Sequence, residues 1–163
     1  IALAEYDGPA YLRFGRPKVA NFTSATDTFE IGKALMLSEG TDLTIIATGH
    51  MVWKALEAAE ALEQKGISAE VINIHTIKPL DDAAILKSVK KTGCVVTAEE
   101  HQMLGGLGAS VSALLSRELP KPQEFVAVQD SFGESGTPDQ LLEKYGLTSV
   151  NIAAAAEKVI ARK

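Results

Sequence analysis

Apolar and polar residues alternate in blocks along this chain, and the blocks predict strands and helices in turn. Continuous apolar runs of strand length are followed by longer segments of helical composition, which end near a glycine or a proline. Strands that are apolar at every position are typical of a parallel sheet covered by helices on both faces. The predicted strands cover residues 33–37, 43–48, 69–74, 94–98 and 125–128, and the predicted helices cover residues 51–65, 81–91, 105–119, 138–145 and 148–162.

This order predicts an α/β fold over residues 31–163, a three-layer α/β/α sandwich around a mostly parallel, mixed five-stranded sheet. The chain before it has a different pattern. Residues 10–14 predict a short strand between a Gly-Pro turn and a Gly-Arg-Pro turn, and the polar, aperiodic residues 18–30 predict a linker. The sequence opens with Ile1 in a stretch that resembles the end of a helix, so residues 1–17 are interpreted as the tail of something longer.

Composition and charge argue against two classes of function, nucleic-acid binding and membrane association. The 163 residues include 16 basic and 21 acidic side chains, for a formal net charge of −5, and no stripe of Lys or Arg suits a nucleic acid. No apolar stretch approaches the roughly 20 residues that span a bilayer. The single cysteine, Cys94, lies in an apolar run and is expected to be a packed, inert thiol. We therefore expect a cytoplasmic protein that binds neither nucleic acid nor membrane.

Ligands of parallel sheets usually bind beyond the carboxyl ends of the strands, where three predicted loops deserve a test. His50 follows one strand, Glu99, Glu100 and His101 follow another, and residues 130–133 follow the last. Carboxylates beside an imidazole can tune a pKa or hold a divalent ion, but adjacent positions cannot all face one ion. We favour a salt-bridged, helix-capping or interface role for this trio over a metal site, and a turn position for His50 over a catalytic one.

The glycines of residues 105–108 precede a predicted helix, where backbone amides can hold a phosphate. Their spacing differs from the dinucleotide fingerprint, and they do not follow a first strand. The favoured interpretation is a tight loop that lets the helix pack closely. The alternative is a stand-alone phosphate- or nucleotide-binding module at Gly105 to Gly108.

Arg13 and Arg16 form a third candidate, since two guanidinium groups near the end of a short strand could grip a sugar phosphate bidentately. From composition alone, ordinary surface charges are the favoured interpretation of both. They lie before the predicted α/β domain, in the segment interpreted as a tail.

Six motifs, taken in order, resemble the C-terminal end of the transketolase family, particularly the C-terminal subunits of split bacterial and archaeal transketolases. Each motif is weak by itself, but together they cover essentially the whole chain. They are Gly-Pro-Ala-Tyr-Leu-Arg-Phe-Gly-Arg at 8–16, Thr-Gly-His at 48–50, Ile-Lys-Pro-Leu-Asp at 77–81, Glu-Glu-His at 99–101, Gly-Gly-Leu-Gly at 105–108, and the stretch from Asp-Ser-Phe-Gly at 130 to Tyr-Gly-Leu-Thr at 145–148.

The resemblance implies part of a thiamine-diphosphate enzyme that moves a two-carbon ketol unit between phosphosugars of the pentose phosphate pathway. In that family a first domain holds the diphosphate and magnesium, a second activates the pyrimidine, and the third serves mainly dimer and domain packing. This chain resembles the third domain, at 31–163, preceded by the last strand of the pyrimidine-binding domain, at 1–17. Arg16 matches the family's arginine that binds the phosphate of the sugar. No Gly-Asp-Gly diphosphate motif is present.

The resemblance therefore implies a chain that supports assembly and dimerisation, is inactive alone, binds no cofactor alone, and needs a cofactor-binding domain or subunit as partner. Deoxyxylulose-phosphate synthases share the third-domain fold, and Gly15-Arg16 would also suit one of them. The beta subunits of 2-oxo-acid dehydrogenases fit least, because their substrates lack the phosphate that Arg16 would hold. A dimerisation domain without any ligand is the remaining alternative.

Overall fold

The computed structural model describes residues 1–15, 18–24 and 26–163 of the chain. Helices and strands alternate from residue 35 onward, as the sequence pattern predicts, after one short 3₁₀ turn at Ala2–Ala4. The strands are β1 (Leu35–Ser38), β2 (Leu43–Ala47), β3 (Ala69–Asn73), β4 (Val95–Gln102) and β5 (Gln123–Val128), and the helices are α1 (Met51–Glu63), α2 (Asp82–Thr92), α3 (Leu107–Glu118), α4 (Pro138–Lys144) and α5 (Ser149–Ile160).

The five strands form one sheet in the order β1-β3-β2-β4-β5. β1 pairs antiparallel with β3, and the other three pairs are parallel. One hydrophobic cluster joins the sheet to α1, α4 and α5, and a second joins the opposite face to α2 and α3. The predicted three-layer α/β/α sandwich with a mixed, mostly parallel five-stranded sheet is confirmed.

Side chains alternate between the two faces of the central strands, so each strand contributes to both hydrophobic clusters. In β2, Leu43, Ile45 and Ala47 belong to the cluster under α1 and α5, and Ile46 belongs to the cluster under α2 and α3. Every residue of β2 and β3 is buried. This is burial on both faces of the sheet, as the mainly apolar composition of the strands predicts.

Two buried polar side chains on the α2 face of the sheet, Thr44 and Glu70, have partners on α2. The Thr44 hydroxyl is 2.6 Å from the Ser88 hydroxyl and 2.7 Å from that of Thr92, both on α2. Glu70 on β3 is 1% exposed and is paired with Lys91. Hydrogen bonding offsets the cost of burying these groups, so they fix how α2 lies on the sheet.

Helix caps agree with the sequence signals. Asp81, at the N-terminus of α2, accepts a hydrogen bond from the amide of Ala84 at 3.1 Å and another from the amide of Ala34 at 2.9 Å. Gly93 ends the same helix with a left-handed φ of 82°, which glycine adopts without strain. Thr148 caps α5 by accepting from the amide of Asn151.

Two strand predictions were wrong. Residues 10–14 form no strand and lie exposed, and no neighbouring strand in the described part of the chain supplies the hydrogen bonds that a strand needs. β4 extends beyond its predicted end at Ala98. Its pairing with β5 is irregular after Ala98 and resumes at the pair Gln102–Val128. Glu99, Glu100 and His101 therefore belong to a strand and not to a loop.

Cys94 is fully buried beside β4, as its apolar surroundings predict. Burial raises the pKa of its thiol, so little of the reactive thiolate forms near neutral pH. The prediction of a packed, inert thiol agrees with this position. In the described part of the chain, no helix combines the length and apolarity that crossing a bilayer requires.

An ion-pair cluster joins the edge strand β5 to the end of the chain. Glu124 accepts a hydrogen bond from Lys158 at 2.8 Å and pairs with Arg162. Burial by itself would raise the pKa of Glu124, but the hydrogen bonds and positive charges of Lys158 and Arg162 outweigh it and lower that pKa. The carboxylate form is therefore favoured in the folded state.

This cluster predicts a pH dependence of stability. Since the pKa of Glu124 is lower in the folded chain than in the unfolded one, its contribution is complete above the unfolded pKa and is lost as the pH falls through the folded value. We expect the Glu124→Gln variant to lose less stability on acidification from about pH 5 to about pH 3, the range in which carboxylates titrate. Urea unfolding of both chains at the two pH values measures the difference. If the free energy of unfolding fell equally in both chains on acidification, Glu124 would not cause the pH dependence.

Candidate functional site

Two neighbouring strands bring His50 and Glu100 together. β2 and β4 pair in parallel, from Thr44 opposite Val95 to Ala47 opposite Ala98, so their carboxyl ends meet at one edge of the sheet. His50 follows β2 after Gly49, whose left-handed φ of 59° makes the turn into α1. His50 Nδ1 lies 3.1 Å from Glu100 Oε2. The turn position predicted for His50 is confirmed, and it places the ring against a carboxylate.

Arg13 completes this group from the N-terminal segment. Its Nη2 donates to Glu100 Oε1 at 2.9 Å, and its Nη1 lies 3.1 Å from His101 Nε2. Because a guanidinium group only donates, His101 Nε2 accepts, and the proton of the neutral ring is on Nδ1. We call Arg13, His50, Glu100 and His101 the Arg13 cluster. It contains a largely buried carboxylate, 15% exposed, whose two oxygens have separate partners.

Glu99 points away from this cluster, since successive side chains of a strand face opposite sides of the sheet. Its side chain is 1% exposed. Its Oε2 accepts a hydrogen bond from the amide of Leu107 at 2.8 Å, and its Oε1 accepts one from the amide of Gly108 at 2.7 Å. These bonds cap α3, whose N-cap residue, Gly106, offers no side chain. The helix-capping role applies to Glu99 and the salt-bridged role to Glu100.

The glycines before α3 allow this close approach. A Cβ atom on Gly106 would overlap the Glu99 carboxylate, and one on Gly108 would lie 2.5 Å from Cδ1 of Phe125. The tight-loop interpretation is confirmed. The phosphate-binding alternative gains no support from this loop, because the amides of Leu107 and Gly108 are already bound to a carboxylate, which would also repel a phosphate.

The metal interpretation of the carboxylate and imidazole groups gains no support. Within residues 1–15, 18–24 and 26–163, no group of three or more His, Cys, Asp and Glu side chains could hold a metal ion. The Arg13 guanidinium contacts both Glu100 and His101, so it supplies the positive charge that a cation would bring.

The third candidate loop, which contains residues 130–133 and spans residues 129–137, is held near the end of β4 by two hydrogen bonds. Gln102 Nε2 donates to the carbonyl of Ser131 at 2.8 Å, and the Tyr145 hydroxyl donates to the carbonyl of Phe132 at 3.0 Å. Asp130 adopts a left-handed φ of 49° at the start of the loop. The Phe132 ring is 97% exposed, so the loop presents one large apolar side chain to solvent.

The structure describes one of the two arginines considered as a phosphate grip. Arg13 is bound by the chain's own Glu100 and His101, which leaves its guanidinium engaged. Arg16 lies outside the described residues. The contact of Arg13 with Glu100 joins positions 87 residues apart and has no local sequence signal.

Comparison with known proteins identifies the family. The family model described as "Transketolase, C-terminal domain" matches residues 32–152. The chain belongs to the transketolase family. The resemblance inferred from the ordered motifs is thereby confirmed.

Relatives of this transketolase domain include a transketolase subunit and a transketolase C-terminal section. It is 49% identical to a 6-deoxy-6-sulfo-D-fructose transketolase subunit of Clostridium sp. strain MSTE9, over 97% of this chain and 49% of that protein. It is 45% identical to a putative transketolase C-terminal section of Methanocaldococcus jannaschii, over 93% of this chain and 48% of the other. A 1-deoxy-D-xylulose-5-phosphate synthase of Heliobacterium modesticaldum is 38% identical over 95% of this chain and 24% of its own length. The chain thus spans about half the length of the first two.

Solved structures agree on the fold of the transketolase domain. A split-gene transketolase described as an inactive beta4 tetramer superposes with a TM-score of 0.94 at 49% identity, covering 97% of this chain and 52% of that one. A transketolase from Leishmania mexicana, 20% identical, superposes with a TM-score of 0.62 over 80% of this chain and 18% of its own.

Proposed function

We propose that this chain is the C-terminal part of a thiamine-diphosphate-dependent transketolase, which transfers a two-carbon ketol unit between phosphosugars. The observation that carries the proposal is the family match over residues 32–152, together with split transketolase subunits among the relatives. In this proposal residues 1–17 end a pyrimidine-binding domain, residues 18–30 are a linker, and residues 31–163 form the third domain. A cytoplasmic location is part of the same proposal.

The start of α3 does not suit a diphosphate, because the amides of Leu107 and Gly108 are bound by the Glu99 carboxylate. Within the described residues, no three His, Cys, Asp or Glu side chains form a group that could hold a metal ion. We therefore place both groups on a cofactor-binding domain or partner subunit outside the 163 residues. This chain then contributes assembly and one substrate contact, the phosphate-binding Arg16.

Exposed apolar side chains support the assembly role. Tyr11 and Phe14 flank Arg13 on the N-terminal segment, while Leu104 and Phe132 follow β4 and β5 at the same edge of the sheet. Large apolar groups gathered at one edge mark a surface suited to a protein partner. We propose that the cofactor-binding part packs here and that the whole enzyme is a homodimer of such units.

Titration and turnover test this proposal. We expect isothermal titration to show no tight binding of thiamine diphosphate and magnesium to the chain alone. We expect turnover of xylulose and ribose phosphates once the cofactor-binding part is supplied. Tight binding of thiamine diphosphate and magnesium by the chain alone would contradict the proposal that both groups bind outside the 163 residues.

The identity of the product tests the substrate class. An assembly that released only 1-deoxy-D-xylulose 5-phosphate would favour the synthase alternative, which the relative in Heliobacterium modesticaldum keeps open. The Clostridium relative is named for a sulfonated ketose. If the assembly used only such a sugar, the proposed substrate would change from a phosphosugar to a sugar that carries another tetrahedral anion.

A further inference from the structure

The sheet has a second edge, opposite the carboxyl edge at which the Arg13 cluster lies. The parallel strands β2 to β5 begin there, and we call it the amino edge. The antiparallel β1 ends at the amino edge, since Ser38 pairs with Val71 near the start of β3. In the strand order β1-β3-β2-β4-β5, β1 and β5 are the two ends of this edge.

An acidic groove of about 400 Å³ lies at the β1 end of the amino edge. Three exposed carboxylates and three half-buried apolar side chains line it, namely Glu39, Glu60, Glu63, Leu56, Ala59 and Ile67. None of the three carboxylates forms an ion pair within the described residues. The groove therefore combines an apolar lining with uncompensated negative charge.

A basic loop lies at the opposite end of the amino edge, directly before β5. Lys121 is exposed there between Pro120 and Pro122, and we call these three residues the Pro-Lys-Pro loop. Each proline fixes its own φ, and the carbonyl of Pro122 accepts a hydrogen bond from the amide of Val95 at 3.1 Å. The loop thus presents Lys121 with little conformational freedom, which lowers the entropy that binding must overcome.

Lys163 adds a second positive charge to this half of the amino edge. Its Nζ donates to the carbonyl of Asp42, just before β2, at 3.2 Å, and its stem lies against Gly93. Burial raises the pKa of the Cys94 thiol, and the charges of Lys163 and Lys121 oppose that rise, so both ammonium groups lie near the start of β4. The amino edge is therefore acidic at β1 and basic towards β4 and β5.

The two ends of the amino edge complement each other but cannot meet within one chain. Neighbouring strands are roughly 4.7–4.9 Å apart, so four spacings place β1 about 19 Å from β5. Around a two-fold axis the same surface serves both copies, so an edge that is acidic at one end and basic at the other meets its complement twice. The proline rings also suit the apolar lining of the groove.

We propose that a second copy of this chain packs against the amino edge, with the Pro-Lys-Pro loop of each copy in the acidic groove of the other. This interface lies opposite the surface that we assign to the cofactor-binding part. It goes beyond the proposed function and does not depend on it.

Sedimentation velocity of the 163-residue chain tests the contact. We expect self-association in about 50 mM salt, and we expect about 500 mM salt to weaken it by screening the exposed charges. Lys121→Glu should raise the dissociation constant about tenfold or more, because like charges then meet at both grooves. A chain with Glu60→Lys and Glu63→Lys together should show the same loss.

A charge swap identifies the two surfaces that meet. When the Lys121→Glu chain is mixed with the chain that carries Glu60→Lys and Glu63→Lys, every groove again faces an opposite charge. We therefore expect mixed dimers with nearly the original affinity, counted by native mass spectrometry with one chain isotope-labelled. All three changes in one chain should restore its self-association for the same reason.

Matched variants separate this contact from a general effect of charge or of another surface. Lys87→Glu reverses an exposed charge in the middle of α2 and should leave the association unchanged. Phe132→Ser alters the carboxyl edge and should leave the loss caused by Lys121→Glu unchanged. Circular dichroism confirms that each variant is folded.

Four results would overturn the proposal. The chain could stay monomeric at about 0.1 mM, the association could survive Lys121→Glu, or the two charge-reversed chains could fail to combine. An association that depended on Phe132 and not on Lys121 would place the second copy at the carboxyl edge. A monomeric chain whose groove bound a lysine-rich peptide would assign the groove to a different, basic partner.

Discussion

Replacing Arg16 by glutamine is expected to raise KM for a phosphorylated sugar about 100-fold in the assembled enzyme, with little change in kcat. A guanidinium fork can give a phosphate two charge-assisted hydrogen bonds, each worth about 1.5 kcal/mol or more. The loss of about 3 kcal/mol corresponds to a factor of about 100. The effect falls on KM because the phosphate lies far from the reacting carbonyl and is bound equally in the ground and transition states. Steady-state kinetics with ribose 5-phosphate and ribose measure it.

Arg117→Gln is the matched control for this change. Arg117 lies near the end of α3 with a side chain that is 63% exposed, 3.6 Å from Glu118, and its loss removes the same unit of positive charge. We expect no change in either substrate. Arg16→Lys should recover part of the affinity, since an ammonium group keeps the charge but not the fork. If Arg16→Gln weakened ribose as much as ribose 5-phosphate, Arg16 would not be a phosphate ligand.

The central sheet could be predicted from the sequence because local pattern and tertiary burial agree there. The residues of β2 and β3 are buried on both faces, which explains why most of their side chains are apolar. Caps were equally visible, since Asp81 is a short acceptor at the start of an apolar helical pattern and does accept an amide of α2.

The segment at residues 10–14 shows where local pattern is insufficient. Its composition suits a strand, but a strand requires a partner, and the described part of the chain offers none beside it. If residues 1–17 do end another domain, as we propose, that partner belongs to the domain outside the 163 residues. The error follows from non-local pairing and not from the residues themselves.

The candidate site was predicted only in part. Glu99, Glu100 and His101 were rightly singled out, but ending the strand at Ala98 concealed the alternation that sends Glu99 to α3 and Glu100 to Arg13. Gly106 was the available signal for Glu99, since a glycine at the start of a helix leaves room for a distant acceptor. Nothing local could reveal the contact of Arg13 with Glu100.

The buried cap at the start of α3 gives the largest stability effect that we expect from a single substitution. Glu99→Gln should lower the free energy of unfolding by about 2–4 kcal/mol, because a glutamine side chain has one oxygen where two backbone amides need acceptors. One buried N–H group then faces an amide NH₂ and stays unpaired. The favourable interaction of a carboxylate with the positive end of α3 is lost as well. Urea unfolding at neutral pH, followed by circular dichroism, measures the change.

Glu118→Gln provides the comparison on the same helix, since its side chain is 54% exposed and caps nothing buried. We expect that variant to stay within about 0.5 kcal/mol of the unsubstituted chain. Gly106→Ala is a second variant that perturbs the same cap, because its methyl group would displace the Glu99 carboxylate. Its cost should therefore be smaller in the Glu99→Gln chain if the cap is already impaired there. If Glu99→Gln unfolded at the same urea concentration as the unsubstituted chain, α3 would not depend on this carboxylate, and close packing by Gly106 and Gly108 alone would account for its position.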